Sequence, residues 1–411
     1  MPTPKLPALI IGLIIPFCVH GQTVAPQHQK LAFLIPELVD ERLQGLDSGL
    51  RQLLQPAINP SFAAINTGIA AELSNLPIPS PASAVRFPFD KQLGVRVPTA
   101  QSQGPILTER AETIGKDRFF FAVTYQRFQF DRQDSIDFRS ARITLPLVVG
   151  GATLGLLNSD SILSLTIDQV IAQVTYGVTP WLDVSYAQPL VTSRLGADFH
   201  ASVTFSGGLP QSFPGISGSL SATGLGDGVG RAKARLFERA GLTVGAAVDL
   251  RLPIGDELNY HGAGAYGLKP FLIVSLTQRR VSPHLNVGYQ VNGKSYLASP
   301  STREQLRLPA QAFISGGVEA ALSPRATVAF DILDQLIFHG QRTFFTSVSE
   351  GGTTYNTLSF PNQSRHEANA SIGMKARIAQ DLALTGNVLV RLNDAGLRAR
   401  VVPLLGISYI F

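Results

Sequence analysis

Between Leu242 and Leu252 the chain alternates with a period of two. Leu242, Val244, Ala246, Val248, Leu250 and Leu252 fall on one side, and Thr243, Gly245, Ala247, Asp249 and Arg251 on the other. Successive residues of an extended chain point to opposite faces, so the pattern predicts a strand with one apolar and one polar face. Just upstream, Arg231, Lys233 and Arg235 alternate with Ala232, Ala234 and Leu236, and only Glu238-Arg239-Ala240-Gly241 separates the two runs. This is a hairpin whose polar side carries ions. Such a row is costly to desolvate inside a sandwich, whereas a water-filled barrel lumen accepts it if the apolar face meets lipid.

Segments of strand length recur along the chain. They run from Phe119 to Phe130, Leu165 to Gly177, Leu182 to Leu190, through the hairpin above, and then from Leu268 to Thr277, Val281 to Asn292, Ala310 to Ala321, Arg325 to Ile337, Glu367 to Ile378, Leu382 to Leu392 and Arg398 to Phe411. The joins alternate in kind. Those around Gly150, Gly208, His261, Ser299 and Gly351 are long and rich in Gly, Ser, Pro and Asn. The joins at Val178-Thr179-Pro180-Trp181, Gln278-Arg279-Arg280, Leu322-Ser323-Pro324 and Ala379-Gln380-Asp381 are short, and the tight Asn393-Asp394-Ala395-Gly396 turn breaks the rule. Long loops at one end and short turns at the other are the habit of an outer-membrane barrel. The expectation is an all-β transmembrane barrel of about 12 antiparallel strands over residues 117–411.

The end of the chain agrees. Ile407, Tyr409 and Phe411 share one face, which resembles the C-terminal signal by which such barrels are recognised for assembly. Tyr125, Tyr176, Tyr186, Tyr289 and Tyr409 lie on the apolar register near strand ends, as an interfacial girdle would. Scattered strand aromatics are the alternative, since strands favour them.

The N-terminal part reads differently. Residues 1–21 carry Lys5, an apolar core from Leu6 to Phe17 and small residues near a cleavage point, an export signal. Cys18 lacks the small residues that precede a lipidated cysteine. Residues 22–116 form a helical and irregular segment. Val39, Leu43, Leu46, Leu50 and Leu53 recur at three or four residues, and after Pro60 so do Phe62, Ile65, Ile69 and Leu73, until Leu76-Pro77-Ile78-Pro79-Ser80-Pro81 stops the pattern. The segment is either a plug or periplasmic element able to gate a pore, or a linker.

Composition narrows the class. The 411 residues include 38 glycines and one cysteine, 15% are charged, and mean hydropathy is +0.16. After the signal no apolar run is long enough for a membrane helix. Removing the signal takes Lys5 and Cys18, leaving 33 basic against 29 acidic residues and no thiol for a disulfide or a metal. The charges alternate in sign along strands and form no basic run, which argues against nucleic acid. Isolated histidines such as His261, His284, His339 and His366 give no metal-ligand spacing, and nothing implies a cofactor.

With Gly224-Leu-Gly-Asp227, Arg231-Ala-Lys233, Leu252-Pro-Ile-Gly-Asp256, Lys269-Pro270, Pro283-His-Leu-Asn-Val-Gly-Tyr289 and Asn393-Asp-Ala-Gly-Leu-Arg398, the sequence resembles the outer-membrane transporters assigned to the MetA pathway of phenol degradation. That family is distantly like the long-chain fatty-acid transporter. Gly104-Pro-Ile-Leu, Glu109-Arg-Ala111 and Ile114-Gly115 also fit, and the likeness covers most of the chain after Gly104. It implies a barrel passing small hydrophobic or aromatic compounds. The expected partners are outer-membrane lipid, the barrel assembly machinery and a small-molecule solute.

Two chemistries are candidates. Arg231, Lys233, Arg235, Asp249, Arg251, Lys269, Glu319, Asp331, Lys375, Arg377, Arg391, Arg398 and Arg400 are expected to line the lumen, either as a selectivity filter or as ion-pair networks that close a narrow barrel. Purely hydrophobic solutes gain nothing from such a lumen, so the transport reading requires a lateral exit or a polar solute. The second is hydrolysis: Asp198, His200 and Ser202 alternate along an extended chain, with the His-to-Ser spacing of the outer-membrane phospholipase. They lie so far past Leu182 that the strand should already have left the membrane, and that enzyme's surrounding pattern is missing. A structural or surface-recognition barrel is a third reading, because long external loops also serve recognition.

Overall fold

The computed structural model describes residues 30–44, 48–80, 89–90, 95–96, 102–149, 152–205, 208–278, 280–297, 304–350, 353–379 and 381–411. The expected export signal and Cys18 lie outside the described residues. Twelve strands form the wall: β1 Phe119–Gln133, β2 Ala152–Thr179, β3 Leu182–Phe205, β4 Gly228–Arg239, β5 Leu242–Leu252, β6 Gly267–Leu276, β7 Val281–Asn292, β8 Gln311–Ser323, β9 Ala326–Gln341, β10 Asn362–Arg377, β11 Leu382–Arg391 and β12 Val401–Ile410. Each pairs antiparallel with the next, and β12 pairs with β1, Ile407 opposite Val123 and Tyr409 opposite Phe121, so the sheet closes. A closed sheet leaves no unpaired edge, the condition for strands to cross lipid.

The two faces are inverted relative to a soluble protein. On β5, Val248 and Leu250 are 38% and 46% exposed, whereas Thr243, Asp249 and Arg251 are buried at 2%, 8% and 8%. The same inversion holds for exposed Leu272 and Val274 on β6, Leu285 and Val287 on β7, Phe330 and Ile332 on β9 and Leu405 and Ile407 on β12. An apolar belt of this extent is stable only against lipid. Among the described residues no helix is long and apolar enough to cross a membrane; strands do the crossing.

Turn chemistry follows the expected parity. The β4–β5 hairpin reverses at Ala240 and Gly241 with φ of +50° and +85°, the left-handed pair that matches strand twist and that glycine tolerates best. At the same end Phe119 lies 4.6 Å from Tyr176 and 5.5 Å from Phe411 between ring centroids. These rings cluster beside the seam. Tyr125, Tyr186, Tyr289 and Tyr409 are exposed on the outer face.

Beyond the membrane the wall is taller than the alternation predicted. β2 has 28 residues, about 90 Å of extended chain, and β3 has 24. Strands Ala141–Val149 and Ile216–Leu225 pair with these extensions. Stretches such as Asn158-Ser159-Asp160 read as loop, yet outside lipid a strand needs no apolar outer face. The terminal strand is shorter than expected: Arg400 sits at a bend between Leu397–Ala399 and β12, after a bulge at Arg398 and Ala399.

Helix α1 spans Leu31–Gln44 and α2 Ser48–Leu73. The periodicity placed the break near Pro60, but α2 runs through Pro56 and Pro60, each of which forfeits one backbone bond. Its C-terminal half is held by packing instead. Ile69, Ala70 and Leu73 join Leu31, Leu34 and Ile35 of α1 in one cluster with Phe128, Phe130, Leu165, Val191 and Leu195 of β1–β3. The helices therefore sit at the long-loop end, against the inward faces of β1–β3.

Candidate functional site

Two pieces of the N-terminal segment lie against the polar inner face. The first continues from α2. Ser74 O accepts from Arg251 and from Gln290 at 3.2 Å, and Pro77 O accepts from Gln126 at 3.0 Å. Asn75 accepts from Gln311. Ser80 N donates to Ile106 O at 2.8 Å and so links this piece to the second.

The second piece, residues 102–115, is buried along almost its whole length. Gln103 N donates to Thr327 Oγ1 of β9 at 2.9 Å, Glu109 N to Asn286 Oδ1 of β7 at 2.8 Å, Ala111 N to Ser275 Oγ of β6 at 2.9 Å and Ile114 N to Asp183 Oδ2 of β3 at 2.9 Å. An irregular segment with no strand partner must satisfy its amides somewhere, and here wall side chains do so. Close approach requires missing side chains opposite. A Cβ on Gly177 would lie 1.7 Å from Gly115 O, and one on Gly245 would lie 3.3 Å from Ala111.

Ion pairs fix this piece. Arg110 pairs with Glu319 of β8 and donates to Ser102 Oγ at 2.6 Å. Glu109 pairs with Arg231 and lies 3.4 Å from Lys233 Nζ, which also reaches Arg110 O at 3.2 Å. Lys375 Nζ donates to Pro105 O at 2.5 Å. Asp331 accepts from Thr108 at 2.8 Å and lies 3.1 Å from His284 Nε2. Arg231 holds both oxygens of Asp249, at 2.6 and 2.7 Å.

The thirteen expected lumen residues thus divide. Arg231, Lys233, Asp249, Glu319, Asp331 and Lys375 meet at residues 105–110 or beside them, and Arg251 reaches Ser74. Arg398 lies further up the wall, 3.3 Å from Glu367, and Arg391 is 2.7 Å from Asp131. Arg235 bonds Pro180 O at the short-turn end, where Arg377 is half-buried, and Arg400 is exposed. Lys269 lies over the Phe313 ring, 4.2 Å from its centroid. The partners Thr108, Glu109 and Arg110 were missed because a segment without periodicity gives no face to read. Glu109-Arg110 beside Gly104-Pro105 was the available signal.

Between the two pieces lies a cavity of about 150 Å³, lined by Leu76 and Ile78 above, Leu107 and Glu109 below, and Arg231, Lys269, Phe271, Phe313 and Gln335 of the wall. Outside the membrane, Asp227 accepts from Gly255 N and Ala263 N at 3.1 and 2.8 Å and pins the β5–β6 loop over it; burial raises its carboxyl despite these bonds and Arg251.

Asp198, His200 and Ser202 lie on the extension of β3 above the membrane. His200 is exposed, 3.6 Å from Asp198, and no hydrogen bond joins it to Ser202. The facing residue is Asp160.

Fold and site together define a membrane-spanning β-barrel whose lumen is occupied by its own N-terminal segment. Solved structures similar to it are outer-membrane barrels and channels. An outer-membrane channel from Pseudomonas putida F1 is 13% identical, with a TM-score of 0.43 over 74% of this chain and 99% of that one. The NanC porin is 6% identical, with 0.38 over 70% and 98%. A FadL homologue from Pseudomonas aeruginosa is 8% identical, with 0.32 over 80% and 96%. No protein-family model and no curated protein matches the chain.

Proposed function

We propose that the protein is an outer-membrane channel for small hydrophobic or aromatic compounds, closed at rest by α1, by residues 48–80 and by residues 102–115. One observation carries the reading: residues 103–114 bond in succession to inward side chains of β9, β7, β6 and β3. A barrel that served only as a scaffold would gain as much from an apolar core, because buried ion pairs add little net stability. A polar seal of paired groups can separate and rehydrate. The export-signal pattern of residues 1–21 and the aromatic C-terminus support placement in the outer membrane. At the alternative hydrolase site, His200 is exposed and faces Asp160 across the β2–β3 pair, so nothing in its surroundings adds support to that reading.

Planar-bilayer recording tests this. Mature protein should be closed for most of the record, and a variant lacking residues 31–80 and carrying Glu109→Ala and Arg110→Ala should conduct. Silence from both, with the barrel folded, would refute a channel. Equal conductance from both would refute closure by the N-terminal segment.

A further inference from the structure

We propose that the cavity between the two lumen pieces binds a small monoanion with a flat apolar body, of which a monocyclic aromatic carboxylate is the simplest. Lys269 receives the charged head, and Phe271 and Phe313 receive the ring. This names the solute class of the proposed channel and rests on that reading for its physiological meaning; binding itself does not depend on it.

The wall supplies a ring-sized apolar surface. Phe271 on β6 and Phe313 on β8 both oppose Gly288 on β7. Their centroids are 5.8 Å apart at 64°, an edge-on pair, because no side chain separates them: a Cβ on Gly288 would lie 2.5 Å from Phe271 Cβ and 2.6 Å from Phe313 Cε1. A cavity of about 150 Å³ is the size that takes up one benzene in an apolar protein interior.

Charge selects an anion. Asp249 faces Lys269 directly in register, yet Arg231 occupies both its oxygens. Glu109 is held by Arg231 and Lys233. Asp227 is held by two backbone amides, with Arg251 at 3.9 Å. The lining holds Arg231, Arg251 and Lys269 against Asp249, Glu109 and Asp227, and Lys233 pairs with Glu109 from behind it, so each of these carboxylates is already taken up by another group and Lys269 is the lining cation that none of them bonds. Among the described residues it has no hydrogen-bond or ion-pair partner, and its ammonium lies 4.2 Å from the centre of the Phe313 ring. A cation in a confined space whose neighbouring carboxylate is already bonded elsewhere gains most from a further carboxylate. His261, buried at 5%, lines the same cavity with Nε2 unpartnered. A second negative charge on the ligand would meet Asp249, Glu109 and Asp227, so dianions are disfavoured.

The test is equilibrium dialysis of purified full-length protein with benzoate, toluene and phthalate, alongside benzoate flux into liposomes. Benzoate should bind about tenfold or more tightly than either of the others, the worth of one charge-assisted hydrogen bond. Lys269→Met should weaken benzoate by a similar factor, Lys269→Arg should retain it, and Phe313→Leu should weaken benzoate and toluene together. Circular dichroism verifies that each barrel is folded. No benzoate binding to the folded protein, toluene binding as tightly as benzoate, or benzoate affinity unchanged in Lys269→Met would overturn the site. Binding that Lys269→Met abolishes, without flux even through the opened variant described above, would keep the site and reject the channel. Flux through that opened variant, with no binding of benzoate to the full-length protein, would keep the channel and reject the site.

Discussion

Replacing Arg110 isolates what holds residues 102–115 in place. The guanidinium and Glu319 are 5% and 0% exposed, and Glu319 Oε2 already lacks a partner. Arg110→Met preserves most of the volume and removes the charge, leaving a dry carboxylate without its principal counter-ion. Breaking one side of a buried pair costs about 3–5 kcal/mol. At about 1.4 kcal/mol per tenfold, the released population should rise by roughly two to nearly four orders of magnitude. Hydrogen exchange at the amides of residues 102–115 reads this directly, because Glu109 N, Ala111 N and Ile114 N are all bonded to wall side chains. Their protection should collapse while that of β4–β11 persists, and bilayer conductance should rise in parallel. Adding Glu319→Gln removes the stranded charge and should restore most of the protection. Unchanged protection in Arg110→Met, or a double variant no better than the single, would refute the pair as the anchor.

Three further outcomes follow from the geometry. Glu72, at the end of α2, is pushed up from 4.5 to about 8 by burial and by the Glu367 carboxyl it bonds, against the pull of Arg398 and Arg365. Its raised value means that docking is strongest below about 4.5 and weakens as pH rises to about 8, so conductance should grow from pH 5 to 8.5 and Glu72→Gln should flatten the dependence; a pH-independent unmodified protein would contradict this. Gly288→Ala forces a Cβ to within 2.6 Å of Pro270 O and Phe313, so thermal unfolding should show a loss of about 1–3 kcal/mol. Deleting Phe411 removes two backbone bonds to Phe119, both 2.9 Å, and the ring contact beside the seam; the folded fraction recovered from membranes should fall, and an unchanged yield would argue against an assembly role for this residue.

The barrel could be read from the sequence because lipid imposes its own periodicity. Leu242 to Leu252 must show one apolar face to hydrocarbon, and a closed sheet must turn back through short joins at one end, so alternation and loop length together fixed the class and the strand number. The extensions of β2 and β3 escaped because above the membrane that constraint lapses, and Asn158, Ser159 and Asp160 carry no signature. Which ions meet is a different matter. Alternation put Arg231, Lys233 and Asp249 on the inward face, but Glu109, the partner that Arg231 and Lys233 share, lies more than a hundred residues away in a segment with no period. Closure of the barrel brings that segment against the wall, where its Glu109 and the neighbouring Asp249 are taken up by Arg231 and Lys233 and Lys269 is left against a ring. Local pattern records which solvent each face meets; the pairing of charges inside depends on distances between chain segments, which tertiary structure alone sets.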